Sequence, residues 1–311
     1  MNFNYIIKQN IMSGGVYNVK KILYVVNAQK DLNYQLSLEV IKCIRTFTND
    51  VFVEDEKLAK MVNLPLIDKE SLPGISLTVI LGGDGTILNY ARHYGEYEIP
   101  VLGINIGRVG ALAVTSLKNY SEALKMFFEG QYFIVKNLTL RGEIHYANKP
   151  EVTSFVAYNE VLLHRGLSPR MIPIQISVNN REFEKVFADG IIVATPTGSS
   201  AYNLSAGGPL LSTSSNCYVI TPVCPQSKGF SSLVISNTDT VHLQIGDLLN
   251  AFTDEIIVSV DGCNRYPVNK NDRIDIMKSP TSLNLVQFSE QTSLYDAVYK
   301  AIISIQNKGE C

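Results

Sequence analysis

The stretch "LTVILGGDGTILNYAR" (residues 77–92) decides how the first part of the chain folds. Its apolar start predicts a buried strand, the glycines predict a tight turn, and "TILNYARHY" (86–94) has the spacing of a helix. A strand that turns directly into a helix is typical of α/β proteins. One acid, Asp84, lies inside this turn, where a carboxylate needs a specific reason to be present.

The same alternation of strand and helix surrounds this stretch. "KILYVVN" (21–27) and "VFVED" (51–55) predict strands, "LNYQLSLEVIKCIRTF" (32–47) has helical spacing, and "IPVLGIN" (99–105) predicts another strand. Strands that alternate with helices favour a parallel sheet covered on its faces. We therefore expect an α/β domain with a parallel, Rossmann-like sheet over residues 20–118.

From about residue 132 the pattern changes to short segments rich in Val and Ile, separated by turn residues. This predicts an all-β sandwich over residues 119–285, in which the helix "LKNYSEALKMFFEG" (117–130) joins the two domains. The tail over 286–311 has apolar residues at helical spacing, and we expect it to pack back on the first domain. Residues 1–19 are interpreted as an N-terminal extension.

Composition and charge restrict the class of protein. The chain has 311 residues, of which 46% are hydrophobic and 18% charged, as in ordinary globular proteins. Its net charge is −2 and its pI is near 6.1, and it has no Lys- or Arg-rich block, so we expect no nucleic-acid or membrane partner. No apolar run approaches the roughly 20 residues that cross a bilayer. The five cysteines are scattered, which fits reduced thiols in the cytoplasm.

The turn Gly82-Gly83-Asp84-Gly85-Thr86 has the properties of a phosphate cradle. Glycines let a ligand approach the backbone, and the first N–H groups of the helix carry the positive end of its dipole. A carboxylate repels phosphates, so Asp84 indicates reaction chemistry: it either holds a divalent cation or accepts a proton from an attacking hydroxyl. The alternative is that Asp84 only caps the helix.

Two better-known phosphate motifs are excluded. The sequence contains no G-x-x-x-x-G-K-[ST], and a leucine stands where the dinucleotide fingerprint needs its third glycine. A dinucleotide, if bound, is not bound at this turn in Rossmann fashion.

A second constellation lies in "FVAYNEVLLHRG" (155–166), where Asn159 and Glu160 interrupt an apolar strand. A buried polar group without a partner costs about 1–3 kcal/mol, so this pair requires either satisfied backbone bonds or a ligand. A hairpin end near the surface is the alternative.

The third and longest motif is "ADGIIVATPTGSSAYNLSAGGP" (188–209). Its small hydroxyls either cap a helix that starts near Ser199 or bind a ribose or phosphate, with Tyr202 stacked on a base. The histidines at positions 93, 145, 164 and 242 have no metal-ligand spacing.

Together these motifs resemble the NAD kinase family. The similarity lies in "LGGDGTIL", "NEVLLHRG", "DGIIVATPTGSSAYNLSAGGP", "TPVCP" and, more weakly, "GINIGRVGAL", and it covers about residues 75–265. The Gly-Gly-Asp-Gly-Thr element alone is shared with diacylglycerol-type lipid kinases and phosphofructokinases. The "TPTGSSAY" loop and the Asn-Glu pair therefore carry the resemblance.

The resemblance implies an enzyme that makes NADP from NAD, built from an α/β domain and a β-sandwich domain and acting as a homodimer or homotetramer. It implies that Asp84 accepts the proton of the adenosine ribose 2′-hydroxyl. ATP or polyphosphate would be the donor, with Mg2+ bound through the donor phosphates and no direct protein metal site. A ribose hydroxyl loses its proton late in a loose transition state, so an ordinary ionised Asp suffices as acceptor.

Residue roles follow by the same resemblance. Asn159 and Glu160 would hold ribose and adenine groups, and Asp189 would reach the nicotinamide end. Gly82, Gly83, Gly85 and Thr86 would form the phosphate cradle. The full set of implied NAD contacts is Asp84, Gly85, Asn159, Glu160, Arg170, Asp189, Ser200, Ala201, Tyr202, Asn203, Leu204 and Ser205.

The sequence departs from the family pattern after "TPVCP", where the family continues with His-Ser and then Arg-Pro. Here the chain has Gln226, Ser227 and Lys228, followed by Ser231, and Ala111 replaces an aromatic residue. These changes bear on donor contacts, subunit packing or regulation. Two alternatives to an NAD kinase remain open at this level: a lipid or sugar kinase that uses the same cradle, and a non-catalytic NAD(P)-binding sensor.

Overall fold

The computed structural model describes residues 21–107, 112–226, 229–246 and 256–288. In chain order, its strands are β1 (Ile22–Val26), β2 (Val51–Val53), β3 (Leu77–Gly82), β4 (Val101–Asn105), β5 (Thr115–Ser116), β6 (Phe133–His145), β7 (Val152–Ala157), β8 (Glu160–His164), β9 (Ile172–Val178), β10 (Arg181–Ala188), β11 (Gly190–Ala194), β12 (Cys217–Val223), β13 (Leu233–Ser236), β14 (Val241–Ile245), β15 (Ile256–Val260), β16 (Asn264–Val268) and β17 (Arg273–Gln287). Its α-helices are α1 (Gln35–Ile44), α2 (Glu56–Val62), α3 (Asp84–Tyr94), α4 (Tyr120–Phe128) and α5 (Tyr202–Ser205). Short 3-10 helices lie at Leu72–Gly74, Gly95–Tyr97 and Gly198–Ser200.

The described chain divides into two units, one with residues up to 136 and from 283 on, the other with residues 137–282. The domain boundaries predicted after residues 118 and 285 stay predictions.

The first unit is built on a parallel sheet in the order β2-β1-β3-β4, which the last residues of β17 extend beyond β4. Every residue of β3 and β4 is buried, as expected for parallel strands that are covered on both faces. Side chains of α1, α2 and α4 join the sheet in one core, and the hydroxyl of Tyr90 on α3 bonds to that of Thr78 at 2.7 Å. The carboxyl ends of β1, β3 and β4 therefore meet at one edge, the usual ligand-binding edge of such sheets.

The second unit is a sandwich of two sheets. One has the order β10-β9-β14-β17, with β6 paired to β17 and β7 to β6, and the other has the order β13-β12-β11-β8-β15-β16. Buried side chains from both sheets form one core, which includes Leu140, Ile174, Val193 and Val258. Buried and more exposed residues alternate along β14, since successive side chains of a strand point to opposite faces, whereas every residue of β11 is buried.

The structure confirms the predicted fold class, an α/β N-terminal domain with a C-terminal all-β domain of sandwich type. The predicted N-terminal extension (1–19), Ala111, Ser227 and Lys228 lie outside the described residues, as does most of the helix predicted over 286–311, whose first two residues belong to β17. Among the helices described here, none has the length and apolar character needed to cross a membrane.

Candidate functional site

The glycine turn after β3 differs in one respect from its prediction. Helix α3 begins at Asp84, two residues earlier than expected, and the residue that caps it is Gly83, whose backbone is extended. Asp84 is therefore the first residue of the helix. The alternative that Asp84 acts as a simple N-cap is wrong.

The carboxylate of Asp84 is held from another part of the chain. Its Oδ1 accepts hydrogen bonds from the backbone N–H groups of Leu112 and Ala113, at 3.1 and 3.2 Å. Hydrogen bonds to a carboxylate are among the stronger ones in proteins, so they fix the direction of this half-buried side chain.

Polar residues from three neighbouring strands gather at the same edge. Asn27, just after β1, donates from Nδ2 to Thr86 Oγ1 at 3.3 Å. Gly82 is the register partner of Asn105, whose Oδ1 accepts from the N–H of Gly107 at 2.8 Å. A Cβ on Gly82 would overlap the side chain of Thr86, so only glycine lets the strand enter the helix so closely. The predicted cradle residues thus lie together in one short turn.

Lys30 is a site residue that sequence reasoning missed. It is exposed in the turn after β1, and a Cβ built on Gly83 would lie 3.5 Å from its Nζ. The sequence did contain a signal for Lys30. This lysine follows β1, the glycine turn follows β3, and adjacent parallel strands end at the same edge of a sheet. The cradle therefore combines backbone N–H groups with a nearby positive charge.

The side chains described at this turn do not by themselves supply enough ligands to hold a metal ion. Within the described ranges, no group of three or more His, Cys, Asp or Glu side chains is arranged to hold one. Hard divalent cations such as Mg2+ keep waters and phosphate oxygens among their ligands, with one or two carboxylates. Asp84 could supply one such carboxylate, and the phosphates of a bound donor would then supply most of the other ligands.

The second unit brings two of the predicted motifs into contact. Glu160, the first residue of β8, is the register partner of Ala194, the last residue of β11. The next residue, Thr195, donates from its N–H to Asn159 O at 2.9 Å and from Oγ1 to Tyr158 O at 2.8 Å. The Asn-Glu pair and the "TPTGSSAY" loop are therefore in direct contact.

Gly198 permits this contact. A Cβ on Gly198 would overlap the carbonyl group of Asn159, so no other residue could approach as closely. The hydroxyls of the loop are partly used within it, since Ser200 Oγ donates to Thr197 O at 3.1 Å. The loop forms a 3-10 turn followed by the four-residue helix α5, and neither has a side-chain hydrogen bond from its N-cap residue. Ligand binding by this loop stays a prediction.

Glu160 is not at an exposed hairpin end, as one alternative had it. Its exposed fraction is 8%, and its Oε2 is buried without a hydrogen-bond partner among the described residues. Burial, and secondarily the charge of Asp261, raises the pKa of Glu160 to about 7. A buried carboxyl that lacks a partner is the kind of group that a ligand satisfies.

Asn203 has a structural role that the sequence did not reveal. Its buried amide donates to Ser199 O at 3.1 Å and to Pro209 O at 3.0 Å, and its Oδ1 accepts from Thr221 Oγ1 at 2.7 Å. These bonds hold the two ends of the loop together. Asn203 as a whole is fully buried, and its predicted NAD contact stays a prediction.

The remaining loop positions present surface. Tyr202 is 42% exposed, which leaves its ring free for stacking, and Ser205 is exposed as well. Ala201 and Leu204 are half-buried beside them.

Asp189 lies at the opposite end of β11 from Thr195. Its Oδ1 forms an ion pair with Arg165 Nε at 2.7 Å, and Arg165 is a second residue that sequence reasoning missed. Arg170 lies on the exposed loop that follows, where its N–H donates to Ser168 Oγ at 3.2 Å. The five residues of β11 span about 16 Å at about 3.3 Å per residue. Only an extended ligand could contact both ends.

Comparisons with known proteins match both parts of the chain to NAD kinases. The family model for the ATP-NAD kinase N-terminal domain matches residues 22–132, and that for the ATP-NAD kinase C-terminal domain matches residues 158–288. An NAD kinase from Thermoanaerobacter sp. (strain X514) is 31% identical over 281 residues, which cover 89% of this chain and 97% of that protein. An NAD kinase from Clostridium botulinum (strain Kyoto / Type A2) is 30% identical over 293 residues, covering 94% and 99%.

Solved structures show the same fold. The yeast NADH kinase complexed with NADH has a TM-score of 0.80 at 23% identity, and covers 95% of this chain and 90% of its own. The NAD kinase from Archaeoglobus fulgidus in complex with ATP has a TM-score of 0.65 at 24% identity, covering 91% and 98%.

Proposed function

The chain belongs to the NAD kinase family, and from this premise we propose that it transfers a phosphoryl group to the 2′-hydroxyl of the adenosine ribose of NAD, which gives NADP. The chain is a kinase by the same membership. The identity of the acceptor hydroxyl and the roles of individual residues are parts of the proposal.

The fixed carboxylate of Asp84 is the observation that carries the proposal. It lies at the first residue of α3, beside glycine backbone, and is oriented by the N–H groups of Leu112 and Ala113. In phosphoryl transfer through a loose transition state, the attacking hydroxyl keeps its proton until late, and a positioned carboxylate receives it. Asp84 would therefore act as proton acceptor, and rigid placement is its main requirement.

The donor would be bound at the glycine turn. Backbone N–H groups at the start of α3 favour phosphate oxygens, and Lys30 supplies a positive charge next to Gly83. The similar Archaeoglobus fulgidus structure is a complex with ATP, which supports ATP as donor, and polyphosphate is the second candidate. When bound through the donor phosphates, Mg2+ would neutralise charge that develops during transfer.

The second unit would bind the dinucleotide. Asn159 and Glu160 would hold ribose and adenine groups, and Ser200, Ala201, Tyr202 and Ser205 would line the adenine pocket. Asn203 and Leu204 complete the proposed set of contacts in this loop. Asp189, next to the start of β11, would reach the nicotinamide end, and Arg170, in the loop before β9, would contact the dinucleotide. The span of about 16 Å along β11 supports an extended dinucleotide over a single small sugar.

No observation favours the lipid kinase, the sugar kinase or the non-catalytic sensor over this proposal. Gln226, one of the departures from the family pattern, is exposed and donates its N–H to Phe187 O at 2.8 Å. We also propose a cytoplasmic homodimer or homotetramer, as the resemblance implies.

A direct test is a matrix of reactions with purified protein and Mg2+, in which NAD or NADH is combined with ATP or polyphosphate. The expected result is NADP from NAD with at least one donor. If no donor yields NADP or NADPH, the proposal is wrong.

A further inference from the structure

Asp261 forms an anchor for the Asn159-Glu160 turn. It follows β15, whose Val260 is the register partner of Val161 on β8. Its backbone is left-handed, with φ of 49°, and its N–H donates to Glu160 O at 3.0 Å. Asp adopts this left-handed conformation more readily than most residues. The side chain of Asp261 lies against the turn formed by residues 158–160.

Its carboxylate accepts from three successive N–H groups. Oδ1 accepts from Asn159 at 2.7 Å and from Glu160 and Tyr158 at 3.1 Å, and Oδ2 accepts from Tyr158 at 3.0 Å. Tyr158 and Asn159 lie between β7 and β8, and Asp261 supplies acceptors for both of their N–H groups. Because unsatisfied buried N–H groups are costly, the carboxylate determines the path of the backbone here.

We propose that Asp261 is the positioning residue of the dinucleotide site, which holds the backbone of residues 158–160 so that Asn159 and Glu160 face the substrate. The proposal rests on the proposed function, because it takes NAD as the ligand of this pair. Asp261 itself contacts the protein main chain and acts through the other two residues.

The charge of Asp261 also acts on Glu160. Burial is the larger cause of the raised pKa of Glu160, and Asp261 is the ionisable group that adds to it. The β11 side of Glu160 contributes Ala194 and Thr195, which are uncharged. Removal of the Asp261 charge is therefore expected to lower the pKa of Glu160 while the burial contribution persists.

The test compares Asp261→Asn with a matched control, Asp272→Asn. Asparagine tolerates the left-handed backbone but replaces one acceptor oxygen by a donor and removes the charge. Asp272 is buried, whereas Asp261 is half-buried, and Asp272 accepts N–H bonds from Ala147 and Asn269, both at 2.8 Å, in the turn before β17. Both variants lose a carboxylate anchor of the sandwich, and only Asp261→Asn disturbs the Asn-Glu pair.

Wild-type NADP formation is measured first, and its absence would count against the proposed function alone. For Asp261→Asn we expect the KM for NAD to rise about tenfold with little change in kcat or in the KM for ATP. The profile of kcat/KM for NAD against pH reports ionisations of the free enzyme. We expect Glu160 to give the wild-type profile an inflection near pH 7. This inflection should move to lower pH in Asp261→Asn, vanish in Glu160→Gln, and stay in place in Asp272→Asn.

An unchanged KM for NAD and an unchanged profile in a folded Asp261→Asn would overturn the proposal. If that variant does not fold, Asp261→Gly, which accepts the positive φ, is measured in the same way. If neither folds while Asp272→Asn does, Asp261 has only a structural role and the proposal is overturned.

Discussion

The carboxylate of Asp84 is oriented by the main chain of Leu112, whose N–H donates to Oδ1 at 3.1 Å. The two residues are separated by 28 positions in sequence. The acid at the start of α3 is thus fixed by a segment that follows the neighbouring strand β4, and its position depends on the parallel sheet as a whole.

Gly82 and Gly85 lie in one turn but are expected to respond differently to alanine. Gly82→Ala places a Cβ against Thr86, so we expect about 1–3 kcal/mol lower stability in urea unfolding. A Cβ on Gly85 meets nothing within 4 Å, so Gly85→Ala should keep or raise stability, by up to about 1 kcal/mol from helix propensity. If a bound ligand occupies the space beside Gly85, kcat/KM of Gly85→Ala should fall although the variant is stable. Full activity of Gly85→Ala would contradict a ligand at this position.

Lys30→Met keeps the aliphatic stem of the side chain and removes its charge. Because the ammonium lies beside Gly83, we expect the KM for ATP to rise about five- to tenfold, with the KM for NAD unchanged. Lys69→Met, an exposed lysine of the same unit, controls for the change in net charge. Steady-state kinetics at two salt concentrations check the result, and equal effects of the two variants would refute a specific role for Lys30.

Glu160 makes stability depend on pH. Its pKa is about 7 in the folded protein against an ordinary value of 4.5, so the folded state binds more protons between these values. Stability therefore falls as pH rises through this window and the loss is complete above pH 7. Glu160→Gln removes this cost, which is on the order of 3.5 kcal/mol at most, from a shift of about 2.5 pKa units at about 1.4 kcal/mol per unit.

Urea unfolding at pH 5 and pH 8 measures this effect. Glu160→Gln should exceed the wild type in stability at pH 8 by more than at pH 5, whereas exposed Glu151→Gln should match the wild type at both. A Glu160→Gln variant that is less stable than the wild type at pH 8 would show that the ionised carboxyl is stabilised in the fold.

The fold class was predictable because buried strands and amphipathic helices leave strong periodic signals. Strands β10, β13 and β16 lie at sheet edges and leave weaker signals in the sequence. Edge strands are short, charged or interrupted by proline, as in "REFEKVFA" and "NRYPV", so they lack an alternating apolar pattern. The start of α3 was placed two residues late because a glycine caps the helix in place of a side chain.

The sequence indicated those parts of the candidate site that consist of contiguous residues. It did not indicate the parts that depend on pairs of residues distant in sequence. The glycine turn and the "TPTGSSAY" loop are local motifs. The bond between Asp261 and Asn159 joins residues 102 positions apart, and the ion pair between Arg165 and Asp189 joins residues 24 apart. No local pattern specifies such pairs, because strand order and register create them.

The role of Asp84 is tested most directly by the Asp84→Asn variant. Its Oδ1 can still accept from Leu112 and Ala113, so the turn should keep its geometry, but the amide cannot accept a proton. With NAD, ATP and Mg2+, the wild type should form NADP, and kcat should fall at least about 100-fold in the variant while its Kd for NAD by calorimetry stays near the wild-type value. NADP formation by Asp84→Asn at the wild-type kcat would contradict the account.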